Sequence, residues 1–404
     1  MESLGIEQVQ VIILAGAIVA LVARRLHIPY TVGLVVAGLI AGGVVSFFPI
    51  PLEIHLSKDL LFRVLLPPLI FEAALYIDWK KLKLDFALVS VYATVGVVLS
   101  AAVTALFMNM AAGWTWDAAV LFGVLIAATD PVAVIAIVKE AGLKGRLRLL
   151  VESESLFNDS TAAVGFAVAL AVASGISAGI GSSVLMMIVS VAGGILSGLF
   201  AAGISLLVIR STEDHLVELS MTTVAAFGSF WLAEHFQTSG ILAATTAGLV
   251  VGNFAARGTI TSRGLEYIKS FWDFAAFVAN TIIFIILGIS LAFQDFALAI
   301  IPAVVAVVAI QVGRAVAVYP CSALFGWTSR RVTATHQHIL FWGGLRGALA
   351  LALALSIPTA LPYRQAILTV TFAVVAFSVF VQGLTIPLLL RRTGLIRAQN
   401  NAQL

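Results

Sequence analysis

Charge is scarce in this sequence, since Asp, Glu, Lys and Arg together make up 11% of its 404 residues. A typical soluble domain contains about 25% of these residues, so a water-exposed globular fold is excluded. Apolar residues make up 61% of the chain, and the mean hydropathy is +1.09. We therefore predict a multi-pass integral membrane protein.

Cysteine is nearly absent, and the first residues do not resemble an N-terminal export signal. The single Cys321 excludes a disulfide framework within the chain. Residues 1–7 are acidic and lack the basic segment and cleavage site of a signal peptide, so we expect the first apolar stretch to be a retained span. The lack of a transit-like N-terminus favours a cell membrane, either a plasma membrane or a bacterial inner membrane.

Long polar stretches are also missing, so residues 1–404 are predicted to form one transmembrane domain with short loops and a brief cytosolic tail at 391–404. At about 20 apolar residues per crossing, the sequence contains about thirteen spans, and the predicted fold class is all-α. The spans lie near residues 8–23, 30–48, 59–77, 86–112, 116–138, 150–173, 182–209, 215–235, 238–256, 272–293, 296–326, 336–356 and 364–390.

Basic residues concentrate in alternate loops, including 24–25, 80–83 and 139–148, and again at 391–392. Cytoplasmic loops carry the excess of Lys and Arg in membrane proteins, so this pattern predicts an outside N-terminus and a cytoplasmic C-terminus. An odd number of spans is then required. Because the basic residues are sorted by membrane side, the net charge of +3 does not indicate a nucleic-acid partner.

An odd span count also suggests two inverted six-span repeats, at 1–173 and 215–390, joined by a linking span at 182–209. Span five contains the helix breaker Thr129-Asp130-Pro131, and span twelve contains the glycine-rich stretch 343–347. Interrupted spans at corresponding places in two repeats indicate a transport site near the membrane midplane. We therefore expect both breaks to border an ion site.

The stretch 151–161 holds three acids and an amide within an apolar run. Ser155, Asn158 and Asp159 share one helical face, because residues three and four apart are neighbours on a helix. We interpret Asp159 as the exchanging carboxylate, since burial favours its protonated form whenever no cation is bound. The alternative is a buried salt bridge for folding only, with Arg314 or Arg346 as its partner.

Other polar groups inside the spans should complete the site. Thr129 is predicted to supply an oxygen ligand, and Asp130 to compensate a half-helix terminus at the break. The alternative for Asp130 is a simple helix cap beside a proline kink. Glu72 follows Pro67 and Pro68 and is predicted to be a ligand or an entry-funnel charge, or else an interfacial acid.

Glu154 and Asn158 lie one helical turn apart and are interpreted as a structural pair. Arg314 lies in a predicted span, where an unpaired guanidinium would be costly, so we expect it to pair with Glu154. A gating function for either residue stays open.

Together these residues resemble the monovalent cation/proton antiporters of the NhaP and NHE type. The resemblance is carried by Pro67-Pro68 before an acid, by Thr129-Asp130-Pro131, by the run from Glu154 to Asn158-Asp159, and by 343–347. It covers nearly the whole chain. It implies a homodimer in the lipid bilayer, in which a six-helix core moves by an elevator-like step against a scaffold.

The resemblance also implies a function for each matched residue. Asp159 would carry the cation and the proton, with Thr129, Ser155 and Glu72 as further ligands of Na⁺. Asp130 and Arg346 would stabilise the crossed helices, while Glu154 and Arg314 would form a core ion pair. Asn158, where electrogenic relatives have a second Asp, is associated with electroneutral exchange.

The leading hypothesis is therefore electroneutral Na⁺ (or Li⁺)/H⁺ antiport by a secondary transporter, which is not an enzyme and needs no cofactor. A K⁺/H⁺ antiporter of the same fold is the first alternative. A cation channel is an alternative from another class, although the sequence has no filter-like repeat of carbonyl-presenting loops. A membrane scaffold or sensor without transport is disfavoured, because it would leave the intramembrane charges without a purpose.

Overall fold

A computed structural model describes residues 6–26, 28–47, 57–130, 145–176, 179–255, 260–296 and 299–395. Helices make up the regular structure of this part of the chain, which contains no β-strand. The helices in chain order are α1 (Ile6–Leu26), α2 (Tyr30–Phe47), α3 (Lys58–Leu60), α4 (Leu66–Leu75), α5 (Trp79–Val91), α6 (Val97–Met110), α7 (Trp116–Leu125), α8 (Arg146–Ala173), α9 (Ile180–Ile209), α10 (His215–His235), α11 (Gly240–Phe254), α12 (Ser262–Ala292), α13 (Ile300–Leu324), α14 (Ala334–Trp342), α15 (Ala348–Leu355), α16 (Arg364–Phe377) and α17 (Gly383–Arg392).

Three pairs of these helices are continuous rods joined by a single wider turn of π-helix. The joining turns are Leu61–Leu65, Tyr92–Gly96 and Ser378–Gln382. Counting such rods as one, eight helices in the described residues are long and apolar enough to cross a membrane, and shorter apolar helices lie between them. The predicted all-α, multi-pass membrane fold is thereby confirmed. The number of thirteen crossings and the two inverted repeats stay predictions.

Polar residues set where several helices begin. The side chains of Asp78, Asp214, Ser239, Thr261 and Thr333 each accept a hydrogen bond from a backbone amide in the first turn of the helix that follows. Such caps satisfy amides that have no partner within the helix. Short loops with these caps therefore separate the apolar spans, as a sequence with few polar residues requires.

Close packing between spans depends on small residues, most clearly where α2 lies along α12. A side chain added to Gly38 would collide with the Ile285 carbonyl oxygen, and one added to Gly288 would collide with the Val35 carbonyl oxygen. Apolar surfaces gain little from burial in a membrane, so helices there are held largely by close backbone approach. These glycines therefore fix the position of α12 relative to α2.

Two spans are interrupted where the sequence predicts helix breaks. Helix α7 ends at Leu125, and the chain is non-helical at 128–130. The partner interruption, at 343–347, separates α14 from α15. Pro131, the breaker in the first motif, lies outside the described residues.

Candidate functional site

A cavity of about 420 Å³ lies next to both interruptions. Its walls include parts of α4, α8, α12 and α15. The polar or charged residues on these walls are Arg24, Tyr30, Glu72, Thr129, Asp130, Asp159, Asp273 and Asn280. Acidic side chains outnumber basic ones there, and a cleft lined by charges of one sign raises the local concentration of counter-ions. The cavity is thus suited to attract cations.

Asp159 projects into this cavity from α8. Its carboxylate accepts a hydrogen bond from the backbone N–H of Thr129. The Oδ1 atom of Asp159 is buried, and it has no hydrogen-bond partner within the described residues. No arginine or lysine of the described ranges lies within ion-pair distance of Asp159, so the structure offers no folding-only salt bridge to it there.

Two hydroxyl groups lie next to this carboxylate. Thr129 is buried, and its Oγ1 donates a hydrogen bond to Ser155 Oγ at 3.2 Å. Ser155 lies one helical turn before Asp159 on α8. One carboxylate and two hydroxyls form an all-oxygen set, which is the ligand type that hard cations prefer.

Glu72 also reaches the cavity, from α4, and is partly buried. Of the residues predicted as ion ligands, the structure thus brings Glu72, Thr129 and Asp159 to one cavity and joins Ser155 to them through Thr129.

The two interruptions contact each other directly through their backbones. The N–H of Asp130 donates to the carbonyl oxygen of Leu345 at 2.7 Å. The Asp130 side chain also faces the start of α15, where its Oδ2 accepts from the N–H of Ala348 at 3.4 Å. A carboxylate there compensates the positive end of the helix dipole.

Arg346 performs the complementary task for the other interrupted span. It is 2% exposed, and its Nη1 donates to the carbonyl oxygens of Ala127 and Ala128, both at 2.8 Å. These carbonyls follow the end of α7, where helix dipoles leave negative charge. The structure thus places the acid of the first interruption at the start of α15 and the arginine of the second interruption at the end of α7.

Glu154 and Arg314 form a buried ion pair between α8 and α13. Arg314 Nη1 and Nη2 donate to the two carboxylate oxygens of Glu154 at 2.7 and 3.0 Å. Asn158 adds a hydrogen bond from its Nδ2 to Glu154 Oε1 at 3.2 Å. Arg314 also donates to the carbonyl oxygen of Leu340 near the end of α14. This pair therefore fixes α8 and α13 against the second interrupted span.

Gly347 provides a direct test of this geometry, because a side chain at this position would overlap the Asp130 carboxylate. We expect Gly347→Ala to displace Asp130 and to lower the free energy of unfolding by about 1–3 kcal/mol, the usual cost of overpacking. Cation-dependent proton transport in vesicles should fall as well.

The matched control is Gly203→Ala in α9, where open space surrounds the position. Alanine favours a helix interior over glycine, so this variant should be at least as stable as the parent protein. Equal behaviour of the two variants would contradict the close approach of Gly347 to Asp130.

Sequence reasoning missed two polar residues of α12 that line the cavity. Asp273 accepts a hydrogen bond from the Tyr76 hydroxyl. It lies on the same face of α12 as Asn280, which follows seven residues later. Asn280 is buried, and its Oδ1 has no hydrogen-bond partner within the described residues. An amide inside an apolar span was the available signal, because such groups are costly in a membrane.

A third missed residue, Gln382, supports the second interruption from the side. It belongs to the π-turn Ser378–Gln382, and its Nε2 donates to the carbonyl oxygen of Trp342 at 3.2 Å. Trp342 is the last residue of α14, so Gln382 satisfies one of the carbonyls that a helix end leaves free. π-turns within α-helices are frequent at functional sites.

A bundle of apolar spans with two interrupted helices meeting beside a partly buried carboxylate is typical of secondary transporters with a midplane ion site. A family model described as "Sodium/hydrogen exchanger, transmembrane" matches residues 11–392. The chain therefore belongs to the sodium/hydrogen exchanger family, and the resemblance seen in its motifs is confirmed.

Similar proteins agree with this assignment. The Na⁺/H⁺ antiporter ApNhaP of Aphanothece halophytica is 37% identical over 92% of this chain and 71% of its own length. The low-affinity Na⁺/H⁺ antiporter NhaS1 of Synechocystis is 35% identical over 98% of this chain and 76% of its own. The sodium proton antiporter MjNhaP1 of Methanocaldococcus jannaschii has a structure similar with a TM-score of 0.77 at 21% identity, covering 96% of this chain and 98% of that one. That likeness supports the fold alone.

Proposed function

We propose that this protein exchanges Na⁺ for H⁺ across a membrane, one for one, and that Asp159 carries the two ions in turn. The observation that supports the proposal most directly is the position of Asp159 on the cavity wall, with the amide and hydroxyl of Thr129 beside it. Relatives described as Na⁺/H⁺ antiporters cover most of the chain, and these descriptions support sodium as the cation in the proposal.

In the proposed cycle, the ionised Asp159 carboxylate binds Na⁺ together with oxygens of Thr129 and Ser155, and Glu72 lies on the entry path. Release of the cation leaves a carboxylate without a counter-charge inside the membrane, where the neutral form is favoured, so a proton replaces the cation. A single carboxylate cannot hold both. Competition at Asp159 thus couples the two movements without an additional moving part.

Asn158 supports one-for-one stoichiometry. The neutral amide lies beside Asp159 in the sequence, but its Nδ2 donates to Glu154 within the ion pair. A second carboxylate at this position would add another titrating group next to the carrier. With an amide there, Asp159 takes up one positive charge whether it binds Na⁺ or a proton. The exchange is therefore electroneutral.

For the transport movement we propose alternating access of the elevator type. The two interruptions, α8 and α13 are joined by hydrogen bonds and an ion pair, so they are suited to move as one body. The wall formed by α2 and α12 would remain in place as part of a scaffold, and a homodimer would hold that scaffold in the lipid bilayer. The N-terminus is proposed to be outside and the C-terminus cytoplasmic.

The test is transport by purified protein in vesicles with an imposed pH gradient. We expect Na⁺ or Li⁺ to drive proton movement, and Asp159→Asn to abolish it, because the amide can neither ionise nor take up a proton. Asp117→Asn is the matched control, since Asp117 is exposed at the start of α7. Full activity of Asp159→Asn would overturn the assignment.

The same vesicles test competition, selectivity and stoichiometry. Acidifying the cation side should raise the apparent KM for Na⁺ and leave the maximal rate unchanged, because proton and cation share one carboxylate. Substituting K⁺ for Na⁺ should greatly reduce exchange. Rates should not change when a membrane potential is imposed; a strong dependence on the potential would contradict electroneutrality.

A further inference from the structure

A second cavity, of about 380 Å³, lies away from the transport site between α13, α14 and α17. Aromatic and aliphatic side chains, including Phe341 and Leu388, form much of its wall. A tyrosine, a histidine and an arginine provide the polar part, namely Tyr319, His338 and Arg392. The cavity is thus amphiphilic, with apolar walls beside groups that can bind an anion.

Hydrogen bonds fix the polar side chains of this cavity in place. The hydroxyl of Tyr319 lies 2.8 Å from His338 Nδ1. The indole N–H of Trp342, one turn after His338, donates to Thr385 Oγ1, also at 2.8 Å. These bonds connect α14 to α13 on one side and to α17 on the other. The cavity is therefore defined by bonded side chains, and its shape is set before a ligand binds.

Arg392 gives the cavity its charge. In the described ranges no carboxylate lies within ion-pair distance of its guanidinium, unlike Arg146, Arg148 and Arg314, which each contact an acid. Acidic side chains are also missing from the described cavity wall. A guanidinium with several free N–H groups matches the oxygens of a phosphate, and it binds them in a planar, forked geometry.

The apolar part of the cavity continues onto the outer surface of α17. Leu388 lines the cavity and is 55% exposed, and Leu384, one helical turn before it, is 40% exposed on the same face. In a membrane-spanning helix such a stripe faces hydrocarbon. Arg391 and Arg392 at the end of α17 place the charged part of the cavity at the level where lipid headgroups lie.

We propose that this cavity binds an anionic phospholipid, with its phosphate at Arg392 and His338 and an acyl chain along Leu388 and Leu384. A small free anion would use the arginine but leave the apolar walls without a partner. A zwitterionic lipid would fit the apolar walls, but the positive group of its headgroup would offset part of the attraction between its phosphate and Arg392. Membrane proteins bind anionic lipid headgroups in basic pockets between helices on the cytoplasmic side.

The site adjoins the transport machinery through α14. Phe341 and Trp342 line the cavity, and the interruption at 343–347 begins directly after them. A lipid bound there would contact the half-helix whose end is held by Arg314 and Gln382. Bound anionic lipid should therefore raise the transport rate or the thermal stability. This expectation does not depend on which ions the protein exchanges.

The experiment measures retention of dioleoyl phosphatidylglycerol by the purified full-length protein in detergent, by native mass spectrometry over a lipid titration. Parallel titrations use dioleoyl phosphatidylcholine, which has the same acyl chains, and inorganic phosphate. We expect Arg392→Gln to weaken phosphatidylglycerol binding about fivefold, the factor expected for one basic residue at an anionic surface. Arg391→Gln is the matched control and should bind like the parent.

A second variant, Leu388→Ser, tests the acyl-chain wall without changing the charge, and it should weaken binding as well. Equal binding by Arg392→Gln and Arg391→Gln would overturn the proposal. So would equal retention of phosphatidylcholine, or displacement of the lipid by millimolar inorganic phosphate. A dimer whose formation requires Leu388 and excludes phosphatidylglycerol would assign the cavity to a second copy of the chain instead.

Discussion

Glu154→Gln should lower the free energy of unfolding by about 3–5 kcal/mol, making it one of the most damaging single changes in the chain. The substitution leaves the Arg314 guanidinium buried between α8 and α13 without its counter-charge, and the loss of one partner of a buried pair costs that much. The measurement is unfolding of the purified protein in mixed micelles, followed by helix content.

Two further variants distinguish the buried pair from an ordinary surface pair. Replacing both members, as Glu154→Met with Arg314→Met, should recover much of the lost stability, because no unpaired charge then remains. Asp59→Asn breaks the exposed pair with Arg63, and it should cost about 1 kcal/mol or less. A similar loss from Asp59→Asn and Glu154→Gln would contradict the described burial of Glu154.

Arg346→Met should reduce transport at least tenfold and lower the free energy of unfolding by about 3 kcal/mol. The methionine fills similar space but removes the buried guanidinium donor from the carbonyls of Ala127 and Ala128, and each buried group left unpaired costs about 1–3 kcal/mol. The negative end of α7 also loses its compensating charge. Vesicle transport and micelle unfolding, measured on the same preparation, give both numbers.

Arg346→Lys retains the charge but loses the forked donor geometry, so it should restore part of the stability and less of the transport. The control for arginine removal in general is Arg63→Met in the first π-turn. Arg63 pairs with Asp59 on the surface, where both side chains are largely exposed, and the change should be nearly neutral. If Arg346→Met were equally harmless, the two interruptions would not depend on their exchange of charges.

Much of the fold could be predicted because a membrane imposes a simple rule on sequence. A crossing needs about 20 apolar residues with all backbone groups bonded internally, so hydropathy alone locates helices. Within the described residues, helices lie over part or all of each stretch that the sequence predicts as a span, and the non-helical residues at 128–130 and 343–347 coincide with a proline motif and a glycine cluster. The glycine cluster and the proline motif were informative because these residues disrupt helices for known steric reasons.

The cavity wall contributed by α12 could not be predicted in the same way. Hydropathy gives the depth of a residue in the membrane but not the direction in which it points. Asp273 lies at the edge of a predicted span, where an acid is ordinary, and its place on the same cavity wall as Glu72 depends on how α12 packs against α2 and α4. Asn280 faces the same cavity only because the glycine contacts set the rotation of α12.

Charge compensation between the interruptions was easier to infer than its geometry. An acid and an arginine beside two helix breaks indicate opposite helix ends, since each charge is favourable at one end only. The pairing of each charge with the other span, and the backbone hydrogen bond from Asp130 to Leu345, depend on the relative placement of residues more than 200 positions apart. No local pattern contains that information.

The π-turn Ser378–Gln382 sets the rotational phase of the last span. A π-turn holds one residue more than a regular α-helical turn, and one residue corresponds to about 100° of rotation around the helix axis. Removing a single residue from this turn would therefore swing Leu384, Leu388 and Arg392 about a quarter-turn away from their present neighbours. The face that α17 presents to α14 is thus determined by one extra residue, about three turns before the arginine that ends the helix.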